Sequence, residues 1–228
     1  MAAQSAVLTV RRSFPRTSTA TLERFRTASS GWIVDANGRR GALDWHIRPL
    51  TTATHFVGTA LTVHSRARDN LAPYAALAYA QPGDVLVIST ESYEEASAAG
   101  DVLLGMARNA GIVALVTDGM VRDIDGLNAV GIPVFARGLT PNSPHKDGPG
   151  EIGLPIAIGG VIVNAGDLVV GDKDGVVVVA RSMAETIANE LEAVAGKEKT
   201  MDGWVRDGAK FPPWLESTIS AKGVHYVD

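Results

Sequence analysis

Residues Gly100 to Asp125 read Gly-Asp-Val-Leu-Leu-Gly-Met-Ala-Arg-Asn-Ala-Gly, Ile-Val-Ala-Leu-Val, Thr-Asp-Gly-Met-Val-Arg-Asp-Ile-Asp. Leu103, Met106, Ala107 and Ala110 recur at helical spacing, which predicts a short helix. Asp101 opens it, where a carboxylate meets free backbone N–H groups and the positive end of the helix dipole. Gly111 stands where a helix stops. The apolar run Ile112 to Val116 then predicts a strand buried on both faces. Asp118-Gly119 is a turn pair able to take positive φ. A helix followed by a strand places the helix start and the strand end at one edge of a layered domain. Asp101 is thus predicted to lie near Arg122 and Asp123.

The same alternation runs on both sides of this stretch. Upstream, Thr19 to Ser30 predicts a first helix. Trp32-Ile33-Val34 before Asn37-Gly38 predicts a second short helix or a turn. A strand is expected from His55 to His64, a helix over Leu71 to Ala80, and a strand at Val85 to Ile88 after the turn Gln81-Pro82-Gly83-Asp84. Downstream come a helix at Ile124 to Val130 and a strand at Pro133 to Ala136. Helices alternating with apolar strands argue a layered α/β domain. After Gly138 the character changes. Gly138 to Gly153 reads as a long surface loop rich in proline and glycine. Pro155 to Val163, Leu168 to Gly171 and Val176 to Val179 follow as short strands, the last two joined by a hairpin at Asp172 to Gly175. Ala184 to Ala195 predicts a final amphipathic helix. The organisation expected is an N-terminal arm over residues 1–18, a domain over 19–195, and a tail over 196–228. Trp204, Phe211 and Trp214 in that tail are expected to pack on their own domain or on a neighbouring subunit.

Composition excludes several functions. The 228 residues contain no cysteine, so disulfides, thiol catalysis and zinc–thiolate sites are ruled out. A net charge of −4 lacks the basic footprint of a nucleic-acid binder. No apolar run approaches the roughly 18 residues of a membrane span. Arg11, Arg12 and Arg16, with no acid before Glu23, faintly resemble a transit peptide. No apolar segment follows them, so the expectation is an arm on a cytoplasmic protein. Neither a Walker nor a dinucleotide glycine fingerprint is present. No glycine-rich loop of the S-adenosylmethionine type follows the first strand, which leaves a methyltransferase without its chemistry. His55 and His64 lie nine apart on one strand and face opposite ways. His46 and His145 stand in loops and read as structural. Asp172 and Asp174 could hold Ca²⁺, but the glycine-flanked turn explains them better. Asp84 and Asp167 read as turn residues.

Asp101, Arg122 and Asp123 carry the chemistry. An open carboxylate suits a hard divalent cation that keeps several waters. An adjacent arginine clamps the carboxylate or carbonyl oxygen of a small acid. The first-turn N–H groups at Val102 to Leu104 form an anion site. Together these would bind a 2-oxo acid and stabilise its enolate. On spacing alone a second reading is open: Asp101 as a helix cap, and Asp123 as the cap of the helix at Ile124 to Val130.

The run Gly100-Asp101…Thr117-Asp118-Gly119-Met120-Val121-Arg122-Asp123 resembles the class II pyruvate aldolases, the RraA-like family. That family includes 4-hydroxy-4-methyl-2-oxoglutarate aldolase and the RraA-type regulators of RNase E. Further matching segments are Asp69-Asn70, Pro82 to Val87, Pro133 to Gly138, and Ala165 to Val169 through Asp174 to Val178. The resemblance spans roughly residues 15–195 in one order. It implies a swivelling β/β/α domain that assembles as homotrimers or homohexamers with sites between subunits. It implies Mg²⁺ or Mn²⁺ on Asp123, and Arg122 polarising the 2-keto oxygen and stabilising the pyruvate enolate. Backbone amides of the Gly100, Val102, Leu103 and Leu104 segment would hold the pyruvate carboxylate, and Asp101 would orient the water that protonates the enolate. The implied substrate is a 4-hydroxy-2-oxo diacid, with oxaloacetate decarboxylation as a side activity. The alternative is a non-catalytic regulator docked on an RNA-processing enzyme. Regulators can lose part of this trio, and this chain keeps all of it. Selectivity beyond the pyruvyl unit is expected from the Gly138 to Gly153 loop, the N-terminal segment or a neighbour's tail.

Overall fold

In the computed structural model, which describes residues 6–227, the elements follow in order. They are β1 (Leu8–Val10), α1 (Thr19–Glu23), α2 (Ser30–Ala36), β2 (Arg48–Pro49), β3 (Phe56–Ser65), α3 (Leu71–Ala76), β4 (Asp84–Ser89) and β5 (Ser97–Ala99). Then come α4 (Asp101–Asn109), β6 (Ala114–Thr117), β7 (Met120–Val121), α5 (Ile124–Val130), β8 (Val134–Ala136), β9 (Gly138–Leu139) and β10 (Gly150–Ile152). The chain closes with β11 (Ile156–Ile158), β12 (Val161–Val163), β13 (Leu168–Asp172), β14 (Gly175–Val179), α6 (Ala184–Arg206) and α7 (Leu215–Lys222).

The centre is a parallel row, β3-β4-β6-β8, built from three successive strand–helix–strand crossovers. Both faces of this row are covered, which is why its strands are apolar at nearly every position. Leu61, Val63, Leu86, Ile88 and Leu115 point into one core, shared with α3, α4 and α5. Ala60, Val85, Val87, Ala114 and Val116 point into a second core with Phe56, Phe135 and the β11–β12 hairpin. The β13–β14 hairpin pairs antiparallel with β3 and packs a third core against α2 and α6. The fold is a mixed, layered α/β domain, as the alternation predicts.

Four local expectations differ from the structure. First, the single helix over Thr19 to Ser30 is two helices. Ser29 Oγ accepts the Trp32 N–H and caps α2, while the carboxylate of Asp172 takes both the N–H and the hydroxyl of Ser30, each at 2.7 Å. These bonds turn the chain so that Phe25 becomes fully buried. Second, α6 continues unbroken to Arg206, past the domain boundary read at 195, and its buried face ends at Leu191. Third, the arm is part of the fold. β1 joins the sheet beside β10, and Arg16 forms a two-pronged ion pair, 2.8 Å at each prong, with Asp84, which is fully buried. Asp84 is therefore the buried partner of a long-range clamp, where the sequence suggested only a turn. Fourth, Asp118 is buried and accepts from Ser89 Oγ, from the Thr90 N–H and hydroxyl, and from the Ser92 N–H. The positive φ expected at Asp118-Gly119 falls at Asp123.

Candidate active site

The helix that opens the site forms as its sequence dictates. Leu103, Leu104 and Ala107 are buried, whereas Met106, read as part of that stripe, is exposed. Gly111 takes φ +87°, and the Gly111 and Ile112 N–H groups return to the carbonyls of Arg108 and Ala107. That is a Schellman C-cap, which only a residue at ease with positive φ can complete.

A small separate sheet brings the two ends together. β5, β7 and β9 pair in parallel, with Ser97 opposite Met120 and Ala99 opposite Val121. The Arg122 N–H donates to Ala99 O at 3.1 Å. Gly100 and Asp101 thereby leave β5 where Arg122 and Asp123 leave β7, and α4 packs beside α5. β5 is three residues of Ser and Ala, too short and too weak in β propensity to be legible in the sequence.

Asp123 stands at the N-cap place of α5, yet its side chain makes no capping bond. Its backbone is left-handed, φ +63° and ψ +49°, a conformation costing a non-glycine residue about 1–2 kcal/mol. This turns the carboxylate back into the cleft, where Oδ2 accepts from Arg122 Nε at 3.2 Å. The guanidinium's Nη1 donates to Ser143 Oγ at 2.6 Å. Both side chains stay open, 37% exposed for Arg122 and 40% for Asp123. Two glycines make this approach possible. A β-carbon on Gly100 would stand 2.5 Å from Asp123 Oδ2, and one on Gly126 would overlap the carboxylate of Asp101.

At the start of α4 the amides are not equivalent. Asp101 Oδ1 accepts the Val102 N–H at 2.7 Å, and the Leu104 N–H reaches Gly100 O at 3.0 Å. Among the described residues no acceptor engages the Leu103 N–H. Of the three first-turn amides, Val102 to Leu104, Leu103 is the one left free.

Gly100, Asp101, Val102, Leu103, Arg122 and Asp123 line one small cleft of about 80 Å³. Leu104, also expected at the site, is fully buried beneath it. Sequence reasoning did not assign five further polar residues of the lining: Asn70, Tyr74, Ser97, Ser143 and Lys146. Ser143 and Lys146 lie in the loop flagged for selectivity. Asp69 ties that loop down, its Oδ2 accepting the N–H groups of Asp147 and Gly148 at 2.7 and 3.0 Å. The histidines stay out of the site. His46 pairs with Asp44, His64 with Glu91, and His55 bonds the Arg26 carbonyl.

Comparison with known proteins identifies the family of the chain. Residues 30–178 match the family described as Aldolase/RraA, RraA-like. A protein of Halalkalibacterium halodurans, named provisionally as a 4-hydroxy-4-methyl-2-oxoglutarate aldolase, is 39% identical over 188 residues, 82% of this chain and 87% of its own. Among solved structures, an uncharacterised Pseudomonas syringae protein superposes with a TM-score of 0.75 at 26% identity, covering 86% of this chain and 96% of that one. The RNA-processing inhibitor RraA from Thermus thermophilis gives 0.62 at 26% identity, covering 67% and 92%. On the extent of the family match and the closeness of the Halalkalibacterium relative, the chain belongs to the Aldolase/RraA family.

Proposed function

We propose that this protein is a divalent-metal-dependent lyase that cleaves a 4-hydroxy-2-oxo diacid to pyruvate and a second oxo compound. The observation that carries this reading is Asp123. A carboxylate serving only as a helix cap would bond the α5 amides, but this one is held in a strained backbone that aims it at Arg122 and the cleft.

The donor set suits one class of ion. Among the described residues no three His, Asp or Glu side chains converge. One open carboxylate with room for waters suits Mg²⁺ or Mn²⁺, hard cations that retain much of their hydration. It does not suit zinc, which takes three or four protein donors. Asp123 would hold the ion, which when bound would withdraw charge from the 2-oxo acid.

In the reaction proposed, the C4 hydroxyl gives up its proton and the C3–C4 bond breaks. The electron pair settles on the C2 oxygen as the pyruvate enolate, and a proton added at C3 completes pyruvate while C4 becomes a carbonyl. Arg122 faces the C2 oxygen and stabilises the charge that develops there. The free Leu103 N–H and the α4 dipole receive the substrate carboxylate. Asp101 relays the proton released at C4 on to C3. Oxaloacetate would lose CO₂ through the same enolate. The decisive assay is pyruvate release from oxaloacetate and from 4-hydroxy-2-oxoglutarate, with Mg²⁺ and with chelator. No metal-dependent release from either acid would refute the reading.

The likeness to an RNA-processing inhibitor keeps a second reading in view, a regulator that binds a partner enzyme. The intact trio favours the lyase. We also propose a homotrimer or a pair of trimers, because the tail leaves Phe211 and Trp214 about half exposed.

A further inference from the structure

Asp118 is a buried carboxylate that the reaction proposed above does not use. It is 3% exposed, and none of the ion pairs among the described residues gives it a cation. Hydrogen bonds meet its charge instead. Oδ1 accepts the Thr90 N–H at 2.7 Å and the Thr90 hydroxyl at 3.2 Å, and Oδ2 accepts the Ser92 N–H at 3.1 Å. What those bonds hold is strained. Glu91 and Ser92 both have positive φ, +57° and +60°, and the Tyr93 N–H closes on Thr90 O at 3.2 Å. That is the form of a type I′ turn, which prefers asparagine and glycine at its two centres. Here two residues that resist the conformation adopt it around one carboxylate. Strain kept in this way points to a function that needs the turn.

The turn lies on the way into the site. Residues 93–96 lead from it into β5, and Asp118-Gly119 leads into β7. The two leads touch: a β-carbon on Gly119 would stand 2.6 Å from Thr90 Oγ1. β5 has three residues and β7 two, and their pairing shifts between Ser97 and Ala99. Strands so short and irregularly paired do little to fix their own register. Yet that register decides the site, because Gly100 and Asp101 leave β5 where Arg122 and Asp123 leave β7. Among the described residues no other side chain hydrogen-bonds residues 90–96 to residues 117–119. The segment's other ties, Glu91 to His64, Glu94 to Arg137 and the Glu95 carbonyl to Asn142, reach other parts of the chain.

We propose that Asp118 is a positioning residue for this site. By stapling the turn before β5 to the start of β7, its carboxylate sets where Asp101 stands against Arg122 and Asp123. It lies outside the cleft lining and touches none of the three. The proposal rests on the lyase reading above and adds to it a residue that acts through others.

Asp118→Asn keeps the shape but cannot accept from both the Thr90 and Ser92 amides. Assayed below its Tm, it should release pyruvate from oxaloacetate with kcat about ten- to a hundredfold lower, the scale of a misplaced group. Its Mg²⁺ affinity in calorimetry should hold, because Asp123 belongs to the β7 side alone. Adding Glu91→Gly and Ser92→Gly to Asp118→Asn should return kcat to within about threefold of wild type, since glycine takes positive φ with no carboxylate to impose it. A purely structural Asp118 would move Tm and leave the kcat of the folded protein alone. Thr90→Val removes one donor and spares the buried carboxylate, so it carries the test if Asp118→Asn does not fold. It should lower kcat about threefold, the scale of one weakened neutral hydrogen bond. Wild-type kcat in the variant that serves overturns the proposal. So does loss of Mg²⁺ affinity in step with kcat, or a glycine pair that restores Tm but not kcat. In each of these cases the lyase stands. If the wild type releases no pyruvate with Mg²⁺, the lyase reading falls and takes the proposal with it.

Discussion

Asp101 and Gly126 face each other across α4 and α5 so closely that a β-carbon on Gly126 would overlap the Asp101 carboxylate. Gly126 lies within α5 and needs no special φ, so its role is space. Gly126→Ala is expected to push Asp101 out of place and to slow turnover about a hundredfold, the usual consequence of an ångström-scale displacement in a site. Asp101→Asn keeps the bond from the Val102 N–H but not the proton relay, so pyruvate proton exchange and cleavage should slow together. Wild-type kcat in Gly126→Ala would show that Asp101 has no part in the chemistry.

Asp123, the metal ligand proposed above, stands in a left-handed backbone. Asp123→Ala should abolish metal-dependent turnover and leave the fold intact. Asp123→Gly should do the same while relieving the left-handed backbone, so its Tm should hold or rise by roughly 2–4 °C for each kcal/mol relieved. Thermal melts beside assays in Mg²⁺ check both. Either variant retaining wild-type metal-dependent turnover would remove Asp123 from the site.

Arg122→Ala should lower kcat by about a hundred- to a thousandfold, because in the reaction proposed above the guanidinium faces charge that grows only as the carbon–carbon bond breaks. Lysine should rescue little, since it retains the charge without the planar fork that spans Asp123 and Ser143. An effect confined to KM would mark Arg122 as a ground-state binding group and favour the regulator.

The Asp172 carboxyl is held below the usual carboxylate range. Burial pushes it upward, but hydrogen bonds from the Ser30 N–H and hydroxyl and from the N–H groups of Asp174 and Gly175 outweigh that. A lowered folded pKa stabilises above the unfolded value near ~3.9 and loses that contribution as pH falls through the folded value. Asp172→Ala should therefore lower Tm at pH 7 by roughly 3–12 °C, through about 1.5–3 kcal/mol of charge-assisted hydrogen bonding. Its Tm should also fall less steeply than wild type below pH 4. Parallel acid profiles would contradict this.

Phe211 and Trp214 lie about half exposed, and with Trp204 and Pro212 they line an apolar patch beyond the last buried turn of α6. An exposed apolar patch is the surface on which the proposed assembly would close. Light scattering at micromolar concentration should give a trimer or hexamer mass, and Phe211→Ser with Trp214→Ser should shift it downward. A monomer mass for the wild type would refute the assembly.

The sequence by itself determined the layered fold and singled out Asp101, Arg122 and Asp123, which the structure brings to one cleft. Both are written locally: apolar runs at strand and helix periods, an acid before a helical stripe, and an Arg-Asp pair after a glycine turn. Asp118-Gly119 drew the turn reading because glycine there signals positive φ, yet the strained residue is Asp123, and only packing imposes strain on a residue that does not prefer it. The tertiary structure alone decided which groups remain free. Whether Val102 or Leu103 keeps its N–H depends on one Asp101 rotamer. Whether Asn70 caps α3 depends on Asp69, whose Oδ1 has taken the Leu71 N–H first. The Arg16–Asp84 clamp, β5 and the arrival of Lys146 at the cleft all join residues far apart in the chain, and such pairings are set by the packed whole, which no local pattern encodes.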